Sequence, residues 1–298
     1  MSGQLLTVGP EPGTPEWATI VTASKVSAIL GVSPWESPRS LWHTMRGDIP
    51  WDASGNDTTR RGHYLEGGVL AWWRDQHPEW TGRVESQPWC STVPWGGATP
   101  DQRCTGQDER VVLVEAKTAA SDDEWGQPGT DEIPTHYLAQ VYWQMAMDPA
   151  AERVYVPVLT SYLRLVEYVI ERDDEVIADL LARCAAFHAS LTADTPPPLD
   201  DHTATISVLK ALNPDIDRGV TVTIDTTAAA EWVRSGADLK AAEGRERAAR
   251  VVVLDAMGRA QYAADPSGLR VARRQNSAHG VSLVRTAKTS DLTQENPA

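Results

Sequence analysis

The sequence VVLVEAK occupies residues 111–117 and follows Asp101 after a short polar segment. Its four consecutive apolar residues, three of them valine, favour a buried β-strand. Because alternate side chains of a strand face the same side, Glu115 and Lys117 are expected to point together, and Ala116 back into the sheet. This stretch therefore predicts a strand that ends with a carboxylate beside an ammonium group.

Two or three carboxylates beside one lysine suit the hydrolysis of a phosphodiester. The oxygens of Asp101 and Glu115 can hold Mg²⁺ or Mn²⁺, which neutralises phosphate charge and lowers the pKa of a bound water. Glu66 is a further candidate ligand. An aspartate followed by a strand ending in Glu-x-Lys is the pattern of the PD-(D/E)XK nucleases. The pattern also arises by chance, and a surface ion pair between Asp101 and Lys117 is the simple alternative.

Longer segments resemble the YqaJ-type viral recombinases, the lambda-exonuclease-like family of PD-(D/E)XK nucleases. They lie in the family's order at residues 21–35 (VTASKVSAILGVSPW), 37–42, 61–66, 98–101, 115–118, 123–126 and 133–141. The resemblance implies that the backbone carbonyl of Ala116 joins Asp101, Glu115 and Glu66 in holding the metal. It also implies that Lys117 orients the attacking water.

The resemblance implies an α/β fold of the mixed α+β kind, with a restriction-endonuclease-like αβββαβ core. The residues agree with this order. A helix carrying Glu66 is predicted from about Thr59 to Gln76, and strands near 83–90, 93–100 and 110–117, where glycines supply the turns between β-favouring runs.

Tyr137 and Gln140 are three residues apart in a helix predicted from Pro134 to about Met147, so both side chains share one face. In the resembled family the corresponding Tyr-x-x-Gln projects toward the scissile phosphate, which implies the same catalytic role here. Without the resemblance, a buried aromatic and a surface amide are the simpler interpretations. Gln144, one turn further, is equally well explained as a surface residue.

The family's exonucleases recognise a 5′-phosphate partly through a serine and a small hydroxyl residue, matched here by Ser24 and Thr99. Ser24 is also explained as a helix N-cap. Exonucleases of the lambda type carry an arginine seven residues before that serine, where this chain has Trp17. Candidate replacements for the missing charge are Lys25, Arg39 and Arg61. Candidates for stacking on unpaired bases are Trp35, Trp42 and Trp125, with core packing as the simpler role.

Composition limits the possible functions. The chain has 298 residues, of which 41% are hydrophobic, and no apolar run approaches the ~20 residues of a membrane helix. The N-terminus lacks a signal pattern, so a cytoplasmic location is expected, in the host cytoplasm if a phage encodes the chain. Three widely spaced cysteines indicate neither a disulfide framework nor a zinc or iron–sulfur site. Neither a GxSxG motif nor a P-loop supports a serine hydrolase or a motor ATPase.

Charge is distributed unevenly around a net value of −14. Residues 1–200 carry 14 basic and 29 acidic side chains, whereas residues 201–298 carry 13 and 12. Arg270, Arg273 and Arg274 belong to the most basic stretch, which suits a DNA backbone, although a solvated basic tail explains it equally well.

The chain is predicted to divide into three parts. Residues 1–19 are a loose lead-in rich in Gly and Pro, residues 20–198 are the nuclease domain, and residues 199–298 are a C-terminal extension. The extension is expected to contain a connector, a helical pattern from Ala228 to about Ala263, either continuous or broken at a glycine, and a hairpin between Gly268 and Lys288.

The sequence therefore predicts a Mg²⁺-dependent deoxyribonuclease, specifically a 5′-to-3′ exonuclease on double-stranded DNA ends that exposes single strands for phage-type annealing recombination. The resemblance implies a single-strand annealing protein as partner and a homo-trimer around DNA. A structure-specific or nicking endonuclease is the nearest alternative, favoured by Trp17. A DNA-binding protein that keeps the fold but has lost catalysis is the alternative of another class, and the intact set Glu66, Asp101, Glu115 and Lys117 speaks against it.

Overall fold

The computed structural model describes residues 4–6, 9–11, 14–50, 57–83, 89–278 and 280–292. The chain forms two compact units, Met1–Ile216 and Asp217–Ala298. None of the described helices is both long enough and apolar enough to cross a membrane.

The elements of the first unit are numbered in chain order. Its helices are α1 (Pro15–Thr19), α2 (Ala23–Ile29), α3 (Pro38–Arg46), α4 (Asp57–Gln76), α5 (Thr135–Met147), α6 (Asp174–Thr192) and α7 (Thr203–Leu212). Its strands are β1 (Gln4–Leu6), β2 (Val21–Thr22), β3 (Gly82–Arg83), β4 (Trp89–Val93), β5 (Gly96–Ala98), β6 (Gln102–Thr105), β7 (Val111–Val114), β8 (Lys117–Thr118), β9 (Ala151–Leu159) and β10 (Leu165–Glu171).

The main sheet has the strand order β10-β9-β7-β6-β3. β7 pairs in parallel with β9, whereas β6 is antiparallel to both of its neighbours, β3 and β7. Helix α5 forms the crossover between the two parallel strands. The succession α4, β3, β6, β7, α5, β9 is the predicted αβββαβ order in a mixed sheet flanked by helices. The predicted fold class is confirmed.

Strand β7 is buried along its whole length because a helix covers each face of the sheet. Val112 and Val114 pack in one cluster with Trp73 of α4. Leu113 packs in the other cluster with Trp143 of α5. The side chains continue to alternate beyond the end of the strand, so Ala116 points toward α4 and Glu115 points toward α5.

A second, smaller sheet has the order β1-β4-β5-β2. The predicted strand 93–100 belongs to this smaller sheet as β5, so it does not pair with β7. In β5, the missing Cβ of Gly97 is a packing requirement, because a Cβ there would lie 2.1 Å from the ring of Trp89. On this side β7 pairs instead with β6, which lies in the polar segment between Asp101 and β7 where no strand is predicted.

The first unit extends further at both ends than its predicted limits of 20 and 198. Within the predicted lead-in, α1 buries Trp17. After residue 198, α7 packs on α3, and the Thr205 hydroxyl donates to the Ser37 hydroxyl at 2.7 Å. Ser37 also caps α3 by accepting the Ser40 N–H, so one buried serine joins the two helices.

The second unit contains helix α8 (Thr226–Met257), strands β11 (Tyr262–Ala264), β12 (Arg270–Ser277) and β13 (Gly280–Arg285), and helix α9 (Thr289–Leu292). Asp225 caps α8 by accepting the N–H groups of Thr227 and Ala228. The helix runs as one piece through Gly244 and ends before the predicted Ala263. The predicted hairpin is present as β12 and β13, and β11 adds a third strand to it.

Candidate active site

The predicted catalytic residues gather where β7 ends, between α4 and α5. A cavity of about 840 Å³ opens at this point. Its lining includes Glu66 from α4, Ala116 and Lys117 from the end of the strand, Tyr137 from α5, and Trp35 from the segment before α3. A helix on each face and an open strand end thus create the pocket.

Glu115 is held by three donors. The Lys117 ammonium donates to its Oε1 at 2.6 Å, and the Gln140 amide donates to the same oxygen. The Gln144 amide donates to its Oε2 at 2.6 Å. Glu115 is only 4% exposed, so these contacts fix the orientation of a buried carboxylate. The structure therefore places Glu115 and Lys117 on the same side, as strand alternation predicts.

Asp101 lies against the same strand end. Its Oδ2 accepts the backbone N–H of Ala116 at 2.8 Å, which ties the loop after β5 to the end of β7. Burial raises the pKa of the Asp101 carboxyl well above its usual range, and the nearby charges of Glu115 and Glu66 raise it further, although Lys117 opposes them. The carboxylates are thus close enough to repel one another when no cation lies between them.

Lys117 balances this negative charge. Burial lowers the pKa of its ammonium, but the Glu115 and Asp101 carboxylates raise it by more, so the net shift is upward. The ammonium also lies 4.8 Å from the centre of the Tyr137 ring and 3.2 Å from the side-chain amide oxygen of Gln140. Lys117 is therefore a protonated group fixed between the two halves of the site.

Residues 17–151, which contain all of these groups, match the family model of the YqaJ-like viral recombinase domain. This segment of the chain is therefore similar to that domain. The protein YqaJ of Bacillus subtilis (strain 168), itself uncharacterized, is 26% identical over 194 residues. The matched region covers 64% of this chain and 59% of that protein, so the chain spans about three fifths of the length of this relative.

Solved structures that are similar to the chain include two exonucleases. An alkaline exonuclease (LHK-Exo) from Laribacter hongkongensis has 21% sequence identity and a TM-score of 0.44, and the match covers 68% of this chain and 100% of that one. A phage-related exonuclease from Haemophilus somnus 129PT has 13% identity and a TM-score of 0.41, with coverage of 59% and 96%.

The two hydroxyl residues expected at a 5′-phosphate are both exposed. Ser24 is the second residue of α2, whose N-cap is Thr22, so the expected capping role of Ser24 is wrong. Its hydroxyl lies 3.1 Å from that of Thr22. Thr99 lies two residues before Asp101, in the loop that leads to the site.

The three candidates for the missing phosphate-binding charge lie in different surroundings. Lys25 is 2% exposed and donates to the carbonyl oxygens of Trp17, Ala18 and Ile20. Burial lowers its pKa to about 7. Arg39 donates to the Pro197 carbonyl at 2.6 Å. Arg61 is exposed on α4 and lines a depression that it shares with Trp35 and Tyr137, so it is the candidate next to the catalytic groups.

The three tryptophans considered for base stacking also differ. Trp42 is 2% exposed and belongs to the core, and Trp125 packs beside Tyr137 with ring centres 5.7 Å apart. Trp35 is 65% exposed, and its ring makes a T-shaped contact with the ring of His136, with ring centres 4.9 Å apart. Of the three, Trp35 presents its surface to the cavity.

Gln144, for which the sequence left a surface position equally open, belongs to the site. It is 1% exposed and donates directly to Glu115, so it is not a surface residue. The available signal was its position four residues after Gln140, which puts both amides on one helix face.

The donor set of the site fits a hard divalent cation. Among the described residues, no three acidic, histidine or cysteine side chains are grouped so that together they could hold a metal ion. Mg²⁺ typically takes one or two carboxylates and keeps several waters, so a closed cage is not required. Asp101 and Glu115 offer such oxygens, and the repulsion that raises the pKa of Asp101 is what a cation would relieve.

Proposed function

We propose that this chain is a metal-dependent deoxyribonuclease that degrades double-stranded DNA from its ends in the 5′-to-3′ direction. The observation that carries the proposal is the convergence of Asp101, Glu115 and Lys117 at the end of β7, beside a cavity that also receives Glu66 and Tyr137. Carboxylates, a lysine and an open pocket are the groups that phosphodiester hydrolysis requires.

Each residue of the site has a role that its surroundings support. Asp101, Glu115 and the Ala116 carbonyl, with Glu66 across the cavity, are the groups that would hold Mg²⁺ or Mn²⁺. When bound, that ion would neutralise phosphate charge and lower the pKa of a bound water. Lys117 stays charged, so it orients the water or stabilises the developing negative charge.

The helix α5 supplies the remaining groups. Gln140 fixes both Glu115 and Lys117, and the Tyr137 ring covers the ammonium, which limits the positions available to a substrate phosphate. Ser24, Thr99 and Arg61 are proposed to hold the 5′-phosphate. A single-strand annealing protein as partner, assembly as a homo-trimer around DNA and action in a host cytoplasm belong to the same proposal.

The first prediction tests the mode of attack. Linear duplex with a 5′-phosphate should be degraded several-fold faster than the same duplex with a 5′-hydroxyl, because charge-assisted contacts position the end. Closed circular duplex should survive. The measurement is the release of acid-soluble nucleotides and the topology of circles on a gel, in Mg²⁺ and in EDTA. Activity in EDTA would contradict the metal dependence.

A structure-specific or nicking endonuclease is the second candidate. It is favoured by Trp17, which is buried at the position of the expected arginine, with the Lys25 ammonium 3.9 Å from its ring centre. Nicking of circles, or equal rates on both kinds of end, would support this candidate and contradict the exonuclease.

The second prediction concerns Trp35 as a stacking surface for an unpaired base at the cavity. Base–aromatic stacking contributes about 1–3 kcal/mol per base, so Trp35→Ala should lower kcat/KM by about ten-fold or more. Trp232→Ala is the matched control, since Trp232 is 80% exposed on α8. Equal kcat/KM values for the two variants would show that Trp35 does not contact the substrate.

A further inference from the structure

The sheet of the second unit has an inner face that packs on α8. Ala272 of β12 is buried there, and it pairs across the sheet with Ala263 and Arg285. Arg285 reaches Glu246 of α8 at 3.5 Å. Arg274, two residues along β12 on the same face, donates to the carbonyl of Gly258 at the end of α8. Arg274 and Arg285 therefore serve the packing of the helix on the sheet.

The outer face carries different residues. Arg273 pairs across the sheet with Tyr262 on one side and Val284 on the other, so these three side chains share the face that points away from α8. The Arg273 guanidinium donates to the side-chain amide oxygen of Gln275 at 2.8 Å. All four side chains are exposed or partly exposed.

A β-bulge adds Arg270 to this face. The pairing of β11 with β12 shifts between Ala263 and Ala264, because β12 has one extra residue at this point. An extra residue reverses the face of the sheet to which the next side chain of the strand points. Val271 consequently joins Ala272 in lining a cavity against α8. Arg270 turns outward, where its guanidinium lies 4.4 Å from the centre of the Tyr262 ring. The bulge thus places two guanidinium groups on the same open surface.

The charge of this surface is unusual for the chain. Residues 259–288 contain six basic side chains and one acidic side chain, Asp265, although the whole chain has a net charge of −14. Asp265 is occupied in the turn between β11 and β12, where it accepts the N–H groups of Ser267 and Leu269. Among the ion pairs of the described residues, neither Arg270 nor Arg273 is joined to a carboxylate.

We propose that the outer face of this sheet, defined by Tyr262, Arg270, Arg273 and Gln275, binds the sugar–phosphate backbone of duplex DNA. Guanidinium groups bind phosphate oxygens through two parallel hydrogen bonds, and a tyrosine and an amide add neutral contacts. Three strands spaced by about 4.8 Å span roughly 10 Å, comparable with the ~12 Å width of the major groove between its two backbones. This inference rests on the proposed function, since it takes DNA as the substrate.

The test compares two double variants of the full-length protein. Arg270→Ala with Arg273→Ala removes the proposed contacts, and Arg234→Ala with Arg245→Ala removes the same charge from exposed positions of α8. Affinity for a long blunt duplex is measured in EDTA by fluorescence anisotropy across a KCl series. The slope of log K against log[KCl] should flatten by roughly 1.8 in the first variant, at about 0.9 per phosphate contact, and stay unchanged in the control.

Each outcome has a definite meaning. Equal slopes for the wild type and the Arg270/Arg273 variant overturn the proposal, and so does a change in solution mass with an unchanged slope, which would make this face a subunit contact. If the double variant does not fold, Arg270→Gln and Arg273→Gln are measured singly, each with an expected change of about 0.9. Binding in EDTA needs no hydrolysis, so an inactive protein would contradict the proposed function without affecting this result.

Discussion

Asp101→Asn and Lys117→Met are each expected to abolish DNA hydrolysis while leaving the fold and most DNA binding in place. Asp101→Asn removes a charged oxygen ligand, and Lys117→Met removes the ammonium that lies 2.6 Å from Glu115. Losing an electrostatic group of this kind commonly costs about 3–4 kcal/mol of transition-state stabilisation, so rates should fall by about 10²–10³-fold. The measurement is the initial rate on 5′-phosphorylated duplex in Mg²⁺.

Two surface variants make suitable controls for this loss. Asp75 and Lys210 are exposed on α4 and α7, away from the end of β7, so Asp75→Asn and Lys210→Met should retain the wild-type rate. Near wild-type cutting by either site variant would mean that the residues are assigned wrongly. Loss of binding together with activity would instead indicate that the substitution disturbed the fold.

The same substitution at Asp101 has a stability effect of defined sign. The pKa of Asp101 is raised in the folded chain by burial and then by Glu115, so the ionised carboxylate favours the unfolded state. The stability lost in this way grows as pH rises above the unfolded pKa of about 4 toward the raised folded pKa. In EDTA, Asp101→Asn should therefore have a higher Tm than the wild type. Mg²⁺ should reduce this difference, because the cation relieves the repulsion that the substitution removes.

The catalytic strand was predictable because its signals are local. The apolar run of β7 specifies a buried strand, and alternation alone places Glu115 beside Lys117. Strand β6 was missed because its burial depends on distant partners. Its Arg103 is neutralised by Asp148 at 2.6 Å, a residue in a different part of the sequence. A polar strand of this kind has no local pattern that distinguishes it from a loop.

The second helix shows a similar limit. Thr22 and Ser24 are both acceptable N-caps by residue type, and the choice between them depends on β2, which ends at Thr22 after pairing with β5. Lys25 is a candidate for the missing phosphate-binding charge by residue type, yet three backbone carbonyls and a tryptophan ring surround it. Burial of a lysine by backbone groups of a preceding turn cannot be inferred from residue type alone.

Gln144 leads to the prediction with the second largest effect. Its amide is the donor to Oε2 of Glu115, whereas Lys117 and Gln140 both serve Oε1. Gln144→Leu keeps a similar volume but leaves a buried carboxylate oxygen without this donor. Without this donor the Glu115 carboxylate is oriented less firmly and should hold the metal less well. We therefore expect kcat to fall by about 10–100-fold and the Mg²⁺ concentration for half-maximal rate to rise.

The role assigned to Gln144 is that of a positioning residue, since at 1% exposure it acts through Glu115 and not on DNA. The KM for DNA should therefore change little, and this separates positioning from substrate contact. Gln107→Leu, at an exposed position, is the control and should retain both the rate and the Mg²⁺ dependence of the wild type. A Gln144→Leu enzyme with lowered stability but an unchanged Mg²⁺ requirement and kcat would show that the amide is only part of the core. Of the three described donors to Glu115, Gln144 is the one that serves Oε2, so Gln144→Leu removes the support of that oxygen while the contacts of Lys117 and Gln140 with Oε1 remain in place.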